Sequence, residues 1–402
     1  MKSQLAVNDA RRRLLDAVRS RQLSESESVG LNEAAGRVLA EDVRAQINVP
    51  PAANSAMDGY ALRFAEGQKG AVLPVSQTVA AGSAPQPLQP GSAARILTGA
   101  EIPPGADSVI IQENVKRVRS EQGEHITLNT EAELGANIRP QGQDIAKGNL
   151  VLARGSLLTP AHIGLLASVG VVEACVYKPL KVALISTGDE LVEPGCELGV
   201  GQIYNSNQPM LAALVREMGA RVVLQQRVVD NYDRTVSALR EAAELADIII
   251  SCGGVSVGDE DHVKAALQTL GELSLWKVAM KPGKPLAFGR VEDKPFVGLP
   301  GNPVSAWVTF QLMVRPALKA MMGGQETELM AVSCAACFER AKPGTRDEYA
   351  RGRLVDGGVE LYGQQSSGVL SSVAWADCLV LLPAGEAIKK GQSVQVYPFA
   401  QW

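Results

Sequence analysis

Between about residues 179 and 326, strand-like runs, several of them continuously apolar, alternate with amphipathic helical patterns, and few folds accommodate that alternation. Val182–Ser186, Arg221–Val229, Asp247–Ser251, Pro285–Phe288 and Phe296–Leu299 read as strands. Gln208–Met218, Asp233–Glu244, Val263–Leu270 and Pro303–Met321 read as helices between or after them. Strands with no polar face must be covered on both sides, so the segment predicts a parallel sheet between helical layers, with ligands at the carboxyl ends of the strands. The 402 residues exceed what one core sustains, so further domains are expected.

The flanks have a different texture. Val7–Arg19 and Leu31–Leu39, the latter with Asn32 as N-cap, predict two amphipathic helices, and Val49-Pro50-Pro51 ends that section. Residues 55–150 carry short β runs (Val75–Val79, Ala94–Leu97, Ser108–Gln112, His125–Leu128) separated by glycine and proline turns, the pattern of a small β module. Leu150–Val176 reads as strand, helix, strand. After residue 327, short strand runs and Gly-rich turns predict a second small β domain without a convincing helix.

Composition excludes several functions. Three histidines (125, 162, 262), far apart, disfavour a His-rich zinc site or a His-based triad. Gly254-Val-Ser256-Val-Gly258 matches a hydrolase nucleophile elbow, but no His follows His262, so Ser256 reads as a turn or ligand contact. A net charge of −4 offers no general attraction to nucleic acid or an anionic membrane. Six cysteines without framework spacing predict a reducing compartment, and Cys334-Ala-Ala-Cys337 lacks the partners of a zinc site. With no apolar leader visible in Met1–Arg21 and no span-length apolar run, a cytoplasmic location is expected.

What remains is carboxylates, lysines and backbone amides. The strand Asp247–Ser251 enters the glycine-rich loop Gly253, Gly254, Ser256, Gly258, which opens a helix and suits an anion. Asp259, Glu260 and Asp261 beside it suit a divalent cation bridging carboxylate and phosphate. A second post-strand loop, Ser186-Thr187-Gly188-Asp189-Glu190, has the same chemistry and is followed by Gly201–Asn207. Lys277, Lys281 and Lys284, spaced by Pro282, Gly283 and Pro285, read as an anion clamp beside the turn Gly298–Ser305. No P-loop fits, because Val278 stands where glycine is needed and Pro285 replaces Ser/Thr. Asn54–Tyr60 and Leu97–Asp107 read as polar loops.

In this order, Asn54–Tyr60, Thr98–Asp107, Ser186–Leu191, Gly201–Asn207, Ser251–Asp261, Lys281–Pro285 and Gly298–Ser305 resemble the motifs of the molybdopterin molybdenumtransferase family (MoeA, related to the E domains of gephyrin and its plant counterpart) over essentially the whole chain. The resemblance implies a multidomain α/β plus β subunit. Residues 1–48 with 145–178 would form an elongated N-terminal dimerisation domain, 49–144 an inserted β module, 179–326 a molybdopterin-binding-like domain and 327–402 a C-terminal β domain. It implies a homodimer with its cleft between subunits, in which adenylylated molybdopterin receives molybdate, releasing AMP with Mg²⁺ present. Contacts with molybdopterin adenylyltransferase and molybdoenzyme maturation proteins follow from the same resemblance. Tungstate insertion, adenylyltransferase-like chemistry and a scaffold role are the alternatives.

The implied catalytic set is Asp261, Asp230, Asp58, Lys281 and Glu190, with Asp189, Glu190, Asp259 and Asp261 at the metal. Lys281, Lys284, Arg351, Ser305 and Ser371 are the implied molybdate donors, with Pro285 and Pro303 stiffening the backbone. Thr98, Arg139, Asp144, Thr187, Gly188, Asn205, Ser206, Gly253, Gly254, Ser256, Gly258, Lys277 and Pro300 complete the implied substrate contacts. Two departures from the family pattern are Ala52-Ala53, where Phe-Asp is common, and Gln143, where Glu is frequent.

Overall fold

A computed structural model describes residues 4–121, 123–254, 262–325 and 328–399. Its centre is a six-stranded sheet in the order Arg221–Val228, Lys181–Thr187, Ile248–Cys252, Lys294–Leu299, Pro285–Val291, Gly271–Lys277. The first four strands run parallel. Along the inner strands, successive side chains enter opposite cores. Val182, Leu184, Ile248 and Ile250 join Leu211 and Val215 of the Asn207–Glu217 helix, whereas Ala183, Ile185 and Ile249 join Leu239 of Tyr232–Leu245 and Leu267 of His262–Leu270. This is why the runs are apolar at every position rather than at every second one.

The far edge departs from the parallel expectation. Pro285–Val291 and Lys294–Leu299 are joined by only Glu292-Asp293, too short for a crossover, so they pair as an antiparallel hairpin. Gly271–Lys277, absent from the strands expected, adds antiparallel to that hairpin. The helical run after Pro303 is continuous but holds a π turn at Phe310–Val314 between Pro303–Thr309 and Arg315–Met321; Pro316 has no N–H to extend the regular ladder.

Val7–Arg19 forms as expected and buries Val7, Ala10, Leu14, Leu15 and Val18, in the same core as the Arg315–Met321 helix. The second N-terminal helix is a correction: only Leu31–Ala34 is helical, Gly30 rather than Asn32 holds the N-cap position, and Gly36 at φ +78° turns the chain out. Val38 and Leu39 then bridge to Leu157 and Val176 in extended form. Leu150–Leu152, Pro160–Ser168 and Glu173–Tyr177 give the expected strand, helix and strand, the helix capped by Thr159 and His162.

The β module is one sheet, ordered Ser108–Ile111, Gly59–Leu62, Ala93–Ile96, Val72–Val79, Gly123–Leu128, Val115–Ser120. The loop reading of Asn54–Tyr60 is corrected in part, because Gly59 and Tyr60 begin a fully buried strand. A Cβ at Gly59 would collide with the Ile110 carbonyl across the pair, so only glycine permits that pairing. In the C-terminal domain the strands run Met280–Lys281, Asp347–Val355, Cys378–Leu382, Ser393–Pro398, Val332–Ala335, with Gly358–Leu361 on Asp347–Val355. A five-residue helix, Ser371–Trp375, corrects the helix-free expectation. Among the described residues no helix is long and apolar enough to cross a membrane.

Candidate active site

The carboxyl ends of the parallel strands open into a cleft of about 1400 Å³. Strand Lys181–Thr187 delivers Thr187, Gly188 and Glu190. Strand Ile248–Cys252 delivers Gly253 and Gly254, Arg221–Val228 leads to Asp230, and Lys294–Leu299 leads to Pro300, Pro303 and Ser305. Lys281, Lys284 and Pro285 line it from the other side of strand Ile248–Cys252, and Asn205 and Ser206 line it as well. Two post-strand loops and the lysine segment, separated by up to about a hundred residues of sequence, therefore meet at one sheet edge.

The glycines are required by closeness. Gly253 and Gly254 have φ of +91° and +64°, and a Cβ on Gly254 would run into Val263 and the Thr187 hydroxyl. Gly283, at φ +104°, passes over the Thr309 hydroxyl, where a Cβ would collide. The hydroxyls of Thr187, Ser251 and Thr309 are buried without a hydrogen-bond partner among the described residues. Unsatisfied buried polar groups are costly, and that of Thr187 belongs to a residue lining the cleft, where a ligand oxygen could accept from it. The loop offers fewer free amides than its glycine content suggests, since Gly253 N–H already donates to the Leu299 carbonyl.

Polar side chains lock the frame. Asn207 Nδ2 donates to the Gly301 carbonyl at 2.6 Å and to Cys252 Sγ at 3.1 Å, tying a helix start to the proline turn. Burial pushes the Cys252 thiol up to about 12, so it stays protonated. Asn205, 1% exposed, accepts from the Gln208 N–H at 3.3 Å.

Charge is divided across the cleft. Asp230 N–H donates to Asp189 Oδ1 at 3.0 Å. Partial burial, then the neighbouring carboxylates of Asp189 and Glu190, raise the Asp230 carboxyl above its ordinary range. A divalent cation would relieve that crowding, and an all-oxygen donor set suits Mg²⁺. Among the described residues no three His, Cys, Asp or Glu side chains are already arranged around one point. Ser256, Gly258, Asp259 and Asp261 lie outside the described residues.

Opposite, Lys281 Nζ lies 2.8 Å from Glu348 Oε1. Lys277, exposed at the end of its strand, does not line the cleft. Arg351 is fully buried behind the Gln364–Gly368 rim: Nε donates to Ser372 at 3.0 Å and Nη2 to the Ser366 carbonyl at 3.2 Å, while Nη1 has no partner among the described residues. Burial lowers its guanidinium to about 10. Ser371 is exposed, with Oγ 3.4 Å from the Tyr362 hydroxyl.

Asp58, Thr98, Arg139 and Asp144 are also outside the cleft of this chain. Asp58 Oδ1 accepts from both the N–H and the hydroxyl of Thr98, each at 2.7 Å. Arg139 is in the strand pair that abuts the Asp58 turn, opposite Asn54, and Asp144 N–H donates to the Val49 carbonyl at 2.9 Å. Sequence reasoning placed Asn207 only within the segment Gly201–Asn207 without a role of its own, and missed Arg346 and Gln364–Gly368, all of which line the cleft. The Gln-Gln-Ser-Ser-Gly run was the available signal for the last of these.

Residues 5–170 match the family model described as MoeA N-terminal region (domain I and II), 183–320 that described as probable molybdopterin binding domain, and 336–399 that described as MoeA C-terminal region (domain IV). The chain is 40% identical over 399 residues to the molybdopterin molybdenumtransferase of Haemophilus influenzae, covering 96% of this chain and 98% of that one. Molybdopterin molybdenumtransferase 2 of Mycobacterium tuberculosis is 38% identical over 388 residues, covering 92% and 94%. A crystal structure of the molybdopterin biosynthesis MoeA protein from Pyrococcus horikoshii superposes with a TM-score of 0.84 at 29% identity, over 98% of this chain and all of that one.

Proposed function

The chain belongs to the MoeA family of molybdopterin molybdenumtransferases, transferases of molybdenum cofactor biosynthesis, and from that membership we propose that it inserts molybdate into adenylylated molybdopterin and releases AMP. The observation that carries this reading is the division of the cleft: Glu190 and Asp230 on one side of strand Ile248–Cys252, Lys281 and Lys284 on the other, and Ser305 in the first turn of the helix Pro303–Thr309. Adenylate phosphate and molybdate are both anions: the lysines can take an oxyanion directly, whereas the carboxylates can take a phosphate only through a divalent cation, so the two groups of side chains suit two anions held in different ways.

Lys281, Lys284 and Ser305 donate to the oxyanion, while Pro285, Pro300 and Pro303 keep the backbone in place. Arg351 supports the Ser366 carbonyl from behind, and Ser371 completes the C-terminal side. Thr187, Gly188, Asn205, Ser206, Gly253, Gly254, Ser256 and Gly258 receive the nucleotide and pterin portions. Asp189, Glu190, Asp259 and Asp261 are the residues that would hold Mg²⁺, which neutralises charge on the phosphoryl oxygens. Asp261 and Asp230 orient the attack at phosphorus. Asp58, Thr98, Arg139 and Asp144 act from the β module of a second subunit in a homodimer, which accounts for their absence from the cleft of one chain. The six free cysteines suit a cytoplasmic enzyme.

Purified protein given adenylylated molybdopterin, Mg²⁺ and molybdate releases AMP, and Asp261→Asn retains the adenylylated ligand but cleaves it at least about a hundredfold more slowly. No AMP release under any metal condition, or equal turnover by the variant, overturns the respective assignments.

A further inference from the structure

The lysine wall of the cleft is built jointly with the C-terminal domain. The two-residue strand Met280–Lys281 leaves the α/β domain and pairs, parallel, with Asp347 and Glu348. Glu348 is 8% exposed, and its carboxylate is held at both oxygens: Oε1 by Lys281 Nζ at 2.8 Å and Oε2 by Arg340 Nη2 at 3.4 Å. Arg340 is itself fixed, with Nη1 donating to the Pro383 carbonyl at 3.2 Å. Just before the strand Asp347–Val355, two residues from Glu348, Arg346 Nη1 donates to the Met280 carbonyl at 2.9 Å and pins the backbone beside Lys281.

We propose that Glu348 is a positioning residue for the oxyanion site: it fixes the Lys281 ammonium at the cleft wall through a carboxylate anchored on the C-terminal domain. The inference rests on the molybdate-inserting reading and deepens it. Lys281 has four rotatable side-chain bonds and a half-exposed side chain, so without a partner its charge would be spread over many rotamers. An ammonium has three N–H donors, and one spent on Glu348 leaves two for an incoming oxyanion. Repulsion between Glu348 and that anion is offset because Arg340 neutralises the second carboxylate oxygen. Lys281, Lys284 and Arg346 on the wall, with Arg340 behind it, outnumber the carboxylates of Glu348 and the adjacent Asp347. The opposite role, a carboxylate that competes with substrate for Lys281, predicts tighter oxyanion binding once the charge is removed.

The test uses the full chain. Molybdate binding is measured by calorimetry, and AMP release is followed against molybdate concentration, for wild type, Glu348→Gln, Lys281→Gln and the double variant. Glu348→Gln should weaken molybdate binding and raise its KM by about tenfold, with kcat within about twofold. In the Lys281→Gln background the same change should have no further effect, a coupling that a merely structural role would not produce. If Glu348→Gln does not fold, Arg340→Gln replaces it, with a smaller shift in the same direction. Unchanged or tighter binding by Glu348→Gln, or effects of the two single changes that simply add, overturns the role of Glu348. Wild-type protein that neither binds molybdate nor releases AMP overturns the reading beneath it instead.

Discussion

Asp58 shows what a single residue's surroundings dictate. Its carboxylate accepts two hydrogen bonds from Thr98, the backbone N–H contributing first and the hydroxyl second, and both hold the carboxyl below the usual aspartate range. A lowered folded value means that this pairing favours the fold above the unfolded pKa and is lost as pH falls through the folded one. Thr98→Val removes the hydroxyl and keeps the N–H, so an NMR titration of the Asp58 carboxyl should shift upward toward its ordinary value. An unmoved midpoint would show that the hydroxyl bond is absent in solution. The meeting of Lys281, Lys284 and Glu190 at one cleft was legible in the sequence, because each stands on a glycine-bearing loop beside a strand end. The setting of Arg351 was not legible, because nothing in the order of residues shows that a guanidinium is walled in by Ser366 and Ser372.

At the scale of elements, periodicity carried most of the information. Val182–Ile185 and Ile248–Ile250 were legible as strands because each residue has a core to enter. Val7–Arg19 was legible as a helix from its apolar stripe, but its docking onto Arg315–Met321 is a tertiary fact with no sequence signal. Leu14 of that helix is completely buried in the core it shares with Arg315–Met321, so Leu14→Ala should cost about 2–5 kcal/mol. Hydrogen exchange gives the check: amides of Arg315–Met321 should lose protection while those of Ala93–Ile96 in the β module keep theirs, and equal protection at both in variant and wild type would contradict the docking. Gly271–Lys277 escaped notice because its strand merges with the lysine run, where charge and proline dominate the pattern. The second N-terminal helix failed at Gly36, whose left-handed backbone outweighed the apolar spacing that continues to Leu39.

For the whole molecule, the cleft is assembled from segments that no local pattern joins. The α/β domain supplies the glycine loops and acids, but Arg346 and Gln364–Gly368 come from the C-terminal domain, after a change of texture that reads as an independent unit, and Glu348 of that domain holds Lys281 from behind. The pairing of Met280–Lys281 with Asp347–Glu348 locks the two domains together at the point where the oxyanion is proposed to bind. The β module keeps its Asp58–Thr98 pair intact without lining that cleft, and a second subunit is the proposed means of bringing them to it. The most direct measurement is a crystal of the full chain soaked with molybdate and AMP, with the metal located by its anomalous scattering. The proposal predicts a molybdenum peak on the lysine wall, within hydrogen-bonding distance of Lys281, Lys284 or Ser305, with AMP phosphate on the side of the Thr187 and Gly253 loops. Molybdenum bound only elsewhere, or a cleft that takes up AMP but no oxyanion, would contradict it.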